Sequence, residues 1–250
     1  MSWNRNSREY WTFHMNNSQT ADEGTGTTGV QDRWRKAQEY ELRFWQKYAR
    51  RVPDREKHIP RELDYVLSAG LEGRRVLEVG CGPMGTIYYV PGALRVGIDP
   101  LAREYVKDLG FSACGVDLVA AMGERLPFVD DTFDVIICGN VLDHVDQPGP
   151  ALAEICRVLR SHGSVVMAVH VIPRWLVSLR WALDRIDTAH PHHMTKSDVY
   201  RMIEAADLEP GDGRSMSPKL TWRSVKSAVA NLAMRNLVVT CRPTTPEARQ

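Results

Sequence analysis

The stretch LEVGCGPMG, Leu77 to Gly85, is an apolar strand end that runs straight into a glycine turn. Gly80, Gly82 and Gly85 form a G-x-G-x-x-G pattern, which belongs first to dinucleotide-binding folds. The same glycines also serve a second kind of cofactor loop, in which an acid stands two residues before the first glycine. Here that acid is Glu78. Gly80 and Gly82 let a ligand approach the backbone closely in either case. Asp99 lies nineteen positions after Gly80, at the end of the next apolar run, where a carboxylate accepts bonds from ribose hydroxyls. The loop therefore points to an α/β nucleotide fold and leaves the cofactor open.

The pattern on either side supports that fold. RRVLEVG (74–80), LRVGIDP (94–100), VDLVAAM (116–122), FDVIICGN (133–140) and SVVMAVHV (164–171) read as short strands. FDVIICGN is apolar on both faces, as parallel strands are. LAREYVKDLG (101–110) reads as a helix with Leu101, Ala102, Tyr105, Val106 and Leu109 on one side and Gly110 as its stop. ALAEICRVLRSHG (151–163) is a second, with Leu152, Ile155, Cys156 and Leu159 at helical spacing and Gly163 past its end. Strand and helix alternate, which predicts a doubly wound α/β sheet with helices on both faces.

Residues 172–195 hold no strand signal and are rich in Trp, Arg and His. TKSDVYRMIEAADL (195–208) opens with a Thr-x-x-Asp cap pattern. Residues 218–235 read as a helix through Trp222, Val225, Val229 and Leu232, and NLVVTCR (236–242) as a last strand. Upstream, 31–52 reads as a helix with Trp34, Ala37, Trp45, Tyr48 and Val52 near one face and a gap at Glu41; a second helix, near 61–69, follows Pro60. The expected organisation is a flexible polar arm at 1–30, N-terminal helices at 31–70, the main domain at 71–242 with insertions over 172–235, and a loose tail at 243–250.

The 250 residues carry a formal net charge of +1, so no large field argues for nucleic acid or an anionic membrane. No apolar run reaches the roughly 20 residues of a bilayer span, and the polar N-terminus lacks a signal-peptide core. The five cysteines, Cys81, Cys114, Cys138, Cys156 and Cys241, include no C-x-x-C, so neither a zinc ribbon nor a disulfide frame is expected, and a reducing cytoplasm fits. The expected partner is a small molecule, without nucleic acid or membrane span; a homodimer is left open.

Three features choose between the cofactors. Glu78 is unhelpful beside a pyrophosphate but useful near an ammonium group. Pro83 stands where a nicotinamide fold begins its phosphate-binding helix. Most telling is the block GERLPFVDDTFDVIICGNVLDHVDQP (123–148) followed by EICRVLRSHGSVVMAV (154–169). This chain resembles the class I S-adenosylmethionine-dependent methyltransferases, well over about 70–170 and fairly over 190–210. The resemblance implies a seven-stranded sheet in the order 3-2-1-4-5-7-6 with strand 7 antiparallel, and S-adenosyl-L-methionine as cofactor with S-adenosyl-L-homocysteine as product. It implies that Glu78, Gly80 and Gly82 hold the methionine end and Asp99 the ribose, with Pro100 and Leu101 flanking the adenine. Where the family often carries an acid before the LPF string, this chain has Met122, followed by Gly123 and Glu124. Met122 packs on the adenine in this reading, and Glu124 either supplies the missing carboxylate or bonds nearby backbone.

Asn140 ends the fourth strand over the expected reaction centre, with Asp143 and His144 beside it. His144 is the first candidate for a general base and His193 the second; the competing reading has His144 only bracing its loop. His190, His192 and His193 form the cluster HPHHMT, in which no neighbouring carboxylate or cysteine completes a ligand set, so no metal is expected. His190, His192 and Arg174 are candidates for acceptor contact. A histidine base favours a hydroxyl acceptor, and RKAQEYELRFW (35–45) with GIDPL (97–101) and HPHHMT (190–195) resembles methyltransferases that accompany glycan or glycolipid assembly. A sugar hydroxyl heads the acceptors, followed by phenolic or polyketide hydroxyls and small amines. An NAD-dependent oxidoreductase and a non-catalytic cofactor-binding scaffold are the rival classes.

Overall fold

Buried β-branched and aliphatic runs fix the centre of the molecule. Val76, Leu77 and Val79 in β1 (Arg75–Val79), and Ile136 and Ile137 in β4 (Phe133–Gly139), have almost no exposed surface. Each such side chain contributes about 1.5–3 kcal/mol when fully buried, so two adjacent apolar strands form the sheet's anchor. The computed structural model describes residues 29–49, 63–109, 115–186, 190–216 and 235–244. Residues 1–28 of the expected arm, 218–234 of the expected last helix, the end of the tail, Gly110 and Cys114 lie outside the described residues.

The sheet runs β3-β2-β1-β4-β5-β9-β7, with β2 Leu94–Ile98, β3 Asp117–Val119, β5 Leu159–Ile172, β7 Leu208–Pro210 and β9 Arg235–Pro243. β1 to β5 are parallel, whereas β9 runs antiparallel to both β5 and β7. Numbered by position, this is the expected 3-2-1-4-5-7-6 order. Two short strands extend the expectation of seven: β6 (Met194–Thr195) pairs with β5, and β8 (Arg214–Met216) with β9. The reversal between β1 and β4 opens a cleft at the carboxyl ends of the strands, where such sheets bind ligands.

Helix α1 spans Gly29–Ala49, α2 Leu63–Leu67, α3 Ala102–Leu109, α4 Pro148–Val158, α5 Arg180–Ile186 and α6 Lys196–Ala205. In α6 the Thr-x-x-Asp signal is a complete capping box: Thr195 and Asp198 each accept a hydrogen bond from the other's backbone N–H. In α3, Ala102 and Tyr105 are buried, but Val106 is 49% exposed and does not join their face. α4 starts at Pro148 and stops at Val158, so Leu159 is not a helical residue; it is extended, buried and already paired with Phe133. Residues 159–163 join β5 through an irregular register that a helical period does not reveal.

Candidate active site

A cavity of about 290 Å³ opens where the loops after β1, β2 and β4 meet α1. The glycine loop forms its floor. Gly80 has φ +67° and Gly82 φ +47°, both left-handed, and a Cβ at Gly80 would stand 2.5 Å from the Val141 side chain. Gly85 has ordinary backbone angles, but a Cβ there would collide with the Cys81 carbonyl and the Glu78 carboxylate. The three glycines are thus required for different reasons.

Glu78 is buried at the base of this loop. Its Oε1 accepts the Thr86 N–H at 3.0 Å and its Oε2 the Ile87 N–H at 2.8 Å, which closes the short 3-10 helix Thr86–Tyr88 over the strand end. Asp99 stands opposite, after β2. Its Oδ2 accepts the Gly82 N–H at 3.0 Å and its Oδ1 the Leu101 N–H at 2.8 Å. Burial pushes the Asp99 carboxyl up to about 6 despite those two bonds, and Glu41 and Glu104 push in the same direction. A carboxylate has room for about four hydrogen bonds, so Asp99 accommodates further donors. Pro100 lines the cavity; Leu101 contributes its N–H to Asp99 and does not line it.

Met122, Gly123 and Glu124 form one wall. Glu124 Oε1 accepts the N–H groups of Asp146 and Gln147 at 2.8 and 3.0 Å, so this carboxylate braces the entry to α4 as well as facing the cavity. Behind that wall, α4 clamps the LPF segment. Glu154 accepts the Leu126 N–H, while Arg157 donates to the carbonyls of Leu126 and Phe128 and to Glu154 and Asp130.

The end of β4 supplies the adjoining part of the lining. Asn140 is left-handed, φ 58°, a conformation asparagine tolerates better than most residues. Its amide meets His144 Nε2 at 3.2 Å. With the amide as donor, that nitrogen is unprotonated and its single lone pair accepts this bond. Burial lowers the His144 pKa, against the pull of Asp143. Asp143 is wholly buried beneath it. Burial alone would raise the Asp143 carboxyl, but His144, His170 and His190 hold it well below the usual carboxylate range.

The three clustered histidines of the sequence go three ways. His190 packs against His144, ring centroids 4.7 Å apart. His192 Nε2 lies 2.9 Å from the Val145 carbonyl and 3.1 Å from that of Asp146, bracing the loop after β4. The His193 side chain is buried, with Nδ1 2.9 Å from Asp184 Oδ1, and neither it nor His192 lines the cavity. Arg174 is exposed and also stands away from it.

Two contributors escaped the sequence reading. Glu41, the apparent gap in the apolar face of α1, lines the cavity together with Trp34, Ala37, Gln38 and Trp45, and Trp45 Nε1 donates to its Oε1 at 2.6 Å. The gap itself was the signal: a charged residue inside an otherwise apolar stripe faces something polar. His170, near the carboxyl end of β5, bonds Asp143 Oδ2 at 3.3 Å. A lone polar residue at the end of an apolar strand was its signal.

A family model described as a methyltransferase domain matches residues 77–167. An uncharacterised methyltransferase of Mycobacterium tuberculosis is 34% identical over 107 residues, 42% of this chain and 41% of that protein. The chain thus matches about two fifths of that relative's length. Among solved structures, the (4+2)-cyclase SpnF superposes with a TM-score of 0.64 at 20% identity, covering 85% of this chain and 97% of that one. A geranyl diphosphate C-methyltransferase from Streptomyces coelicolor, solved with Mg2+, geranyl diphosphate and S-adenosyl-L-homocysteine, gives 0.60 at 14% identity, covering 73% and 78%. At these identities the superpositions establish the fold.

Proposed function

We propose that this chain is a class I S-adenosylmethionine-dependent methyltransferase and that the whole protein transfers a methyl group to a hydroxyl of a small molecule. A saccharide hydroxyl is the first acceptor to test, and the cytoplasm the compartment. The buried thiols of Cys81, Cys138 and Cys241 support that choice.

The observation that carries the proposal is the pairing of Asp99 and His144 across one cavity. Asp99 is a buried carboxylate with capacity for further donors, which suits two ribose hydroxyls. Glu78 and the Gly80–Gly82 turn face the methionine end, Pro100 and Met122 the adenine, and Glu124 holds that wall in place. Bound there, S-adenosylmethionine supplies an electrophilic sulfonium methyl. The chain's own task is to align the acceptor oxygen, exclude water and remove a proton. α1 acts as the cover: Arg33 Nη2 bonds Asp184 at 3.1 Å and the His190 carbonyl at 3.3 Å, tying the helix to the acceptor-side elements. His144 lines the cavity with Nε2 unprotonated, and it exchanges its bond from the Asn140 amide for the acceptor's proton as the methyl moves.

The test is methyl transfer from labelled S-adenosylmethionine to panels of saccharides, phenols and amines. On the best hydroxyl acceptor, His144→Ala is expected to lower turnover about 10²–10⁴-fold with S-adenosylhomocysteine affinity near that of the parent. A loss below about tenfold reduces His144 to a brace, and transfer to amines alone refutes the hydroxyl reading.

A further inference from the structure

Three histidine nitrogens gather around one buried carboxylate oxygen just outside the cofactor cavity. His170 Nδ1 stands 3.3 Å from Asp143 Oδ2, and His190 Nε2 and His144 Nε2 each 3.9 Å from it. The residues come from three separate segments: the loop after β4, the end of β5, and the loop before β6. Two of the three distances exceed any normal hydrogen bond, so a proton-sharing network does not account for the convergence. Donor atoms of Asp143, His170 and His190 all lie within 4.8 Å of one another. Ligands around a first-row ion with bonds of about 2.1 Å stand ~3.0–3.4 Å apart, so small side-chain movements complete the set.

A second observation points the same way. Asp143 Oδ1 is buried and has no hydrogen-bond partner among the described residues. An orphaned buried carboxylate oxygen is costly, and a cation at the shared face compensates the charge. The surroundings are built to hold the ligands. The His192 N–H donates to the Asp143 carbonyl at 3.3 Å, and the His192 ring binds the carbonyls of Val145 and Asp146, joining the two loops. Arg33 fixes the His190 carbonyl from α1. Such outer contacts typically orient metal-binding side chains.

We propose that Asp143, His170 and His190 form a binding site for a divalent transition-metal ion of the zinc type, with an open position toward His144 and the cavity. Two imidazoles and one carboxylate suit such an ion and do not suit Mg2+, which prefers an oxygen shell. Binding stands on this geometry alone. Its use rests on the methyl-transfer reading: an ion held there would make an acceptor hydroxyl at the open position more acidic.

The experiment is calorimetric titration of the chelator-treated full chain with Zn2+, with Co2+ absorption reporting ligand geometry and S-adenosylhomocysteine titrated in parallel. The expected result is one equivalent of Zn2+, weakened at least 100-fold by His170→Ala and by His190→Ala, with S-adenosylhomocysteine affinity within about twofold of the parent in both variants. His170 is the primary variant because its side chain is 32% exposed and its loss leaves the core intact. Absence of stoichiometric Zn2+ binding, or binding that survives both substitutions, overturns the site. Zn2+ binding as described without S-adenosylhomocysteine binding leaves the site standing and refutes the functional reading.

Discussion

Asp99 carries the most chemical information of any single residue. Its place was legible in the sequence because it ends the second apolar run. Its energetics were not, because they come from burial and from Glu41, a residue 58 positions away in sequence. With its pKa raised to about 6, the empty protein holds the carboxyl protonated below that pH. Ribose hydroxyls donate to the ionised form, so cofactor binding favours deprotonation. Affinity for S-adenosylhomocysteine is therefore expected to be flat above about pH 7 and to fall as pH drops through 6, approaching tenfold per pH unit. The sign is fixed by the direction of the shift: an ordinary aspartate near 3.8 would leave affinity flat down to about pH 4.5. Calorimetry from pH 5 to 8 distinguishes the two curves.

At the scale of elements, the motifs turn out to be clamps. The E-x-x-R of α4 spans one helical turn, so Glu154 and Arg157 share a face and grip the segment that bears Leu126 and Phe128. That segment continues from Met122 to Glu124, the wall of the cavity. Arg157→Ala removes several charge-assisted bonds at once and strands the carbonyls it served. It is expected to cost about 1–3 kcal/mol of stability in denaturant melts and to weaken cofactor binding, although Arg157 does not line the cavity. Unchanged stability and affinity would show the clamp to be dispensable. The strands were legible from their apolar runs, and the α6 cap from two residues. The end of α4 was not, because Leu159 suits a buried helix face and a buried strand equally well. The divergence of His190, His192 and His193 was also hidden, since adjacent residues in a loop face partners that local sequence does not specify.

Across the whole molecule, the order of the sheet explains why distant residues meet. Parallel strands place all their carboxyl ends on one edge, so Glu78, Asp99, Asn140 and His170 end near one another despite wide separation in sequence. α1 completes the enclosure from outside the sheet: its Glu41 lines the cavity and its Arg33 bonds Asp184 and the His190 carbonyl. The fold was readable because alternating strands and helices admit few topologies. The acceptor side was not, because it is assembled from loops and short helices whose packing follows no period. The central claim is that this edge holds S-adenosylmethionine rather than a nicotinamide cofactor. Calorimetric titration of the full chain with S-adenosylhomocysteine and, separately, with NAD+ tests it most directly. The account predicts one equivalent of S-adenosylhomocysteine, weakened by about 1–3 kcal/mol in a folded Asp99→Ala variant, and no binding of NAD+. Binding of NAD+ without S-adenosylhomocysteine, or unchanged S-adenosylhomocysteine affinity in that variant, would contradict it.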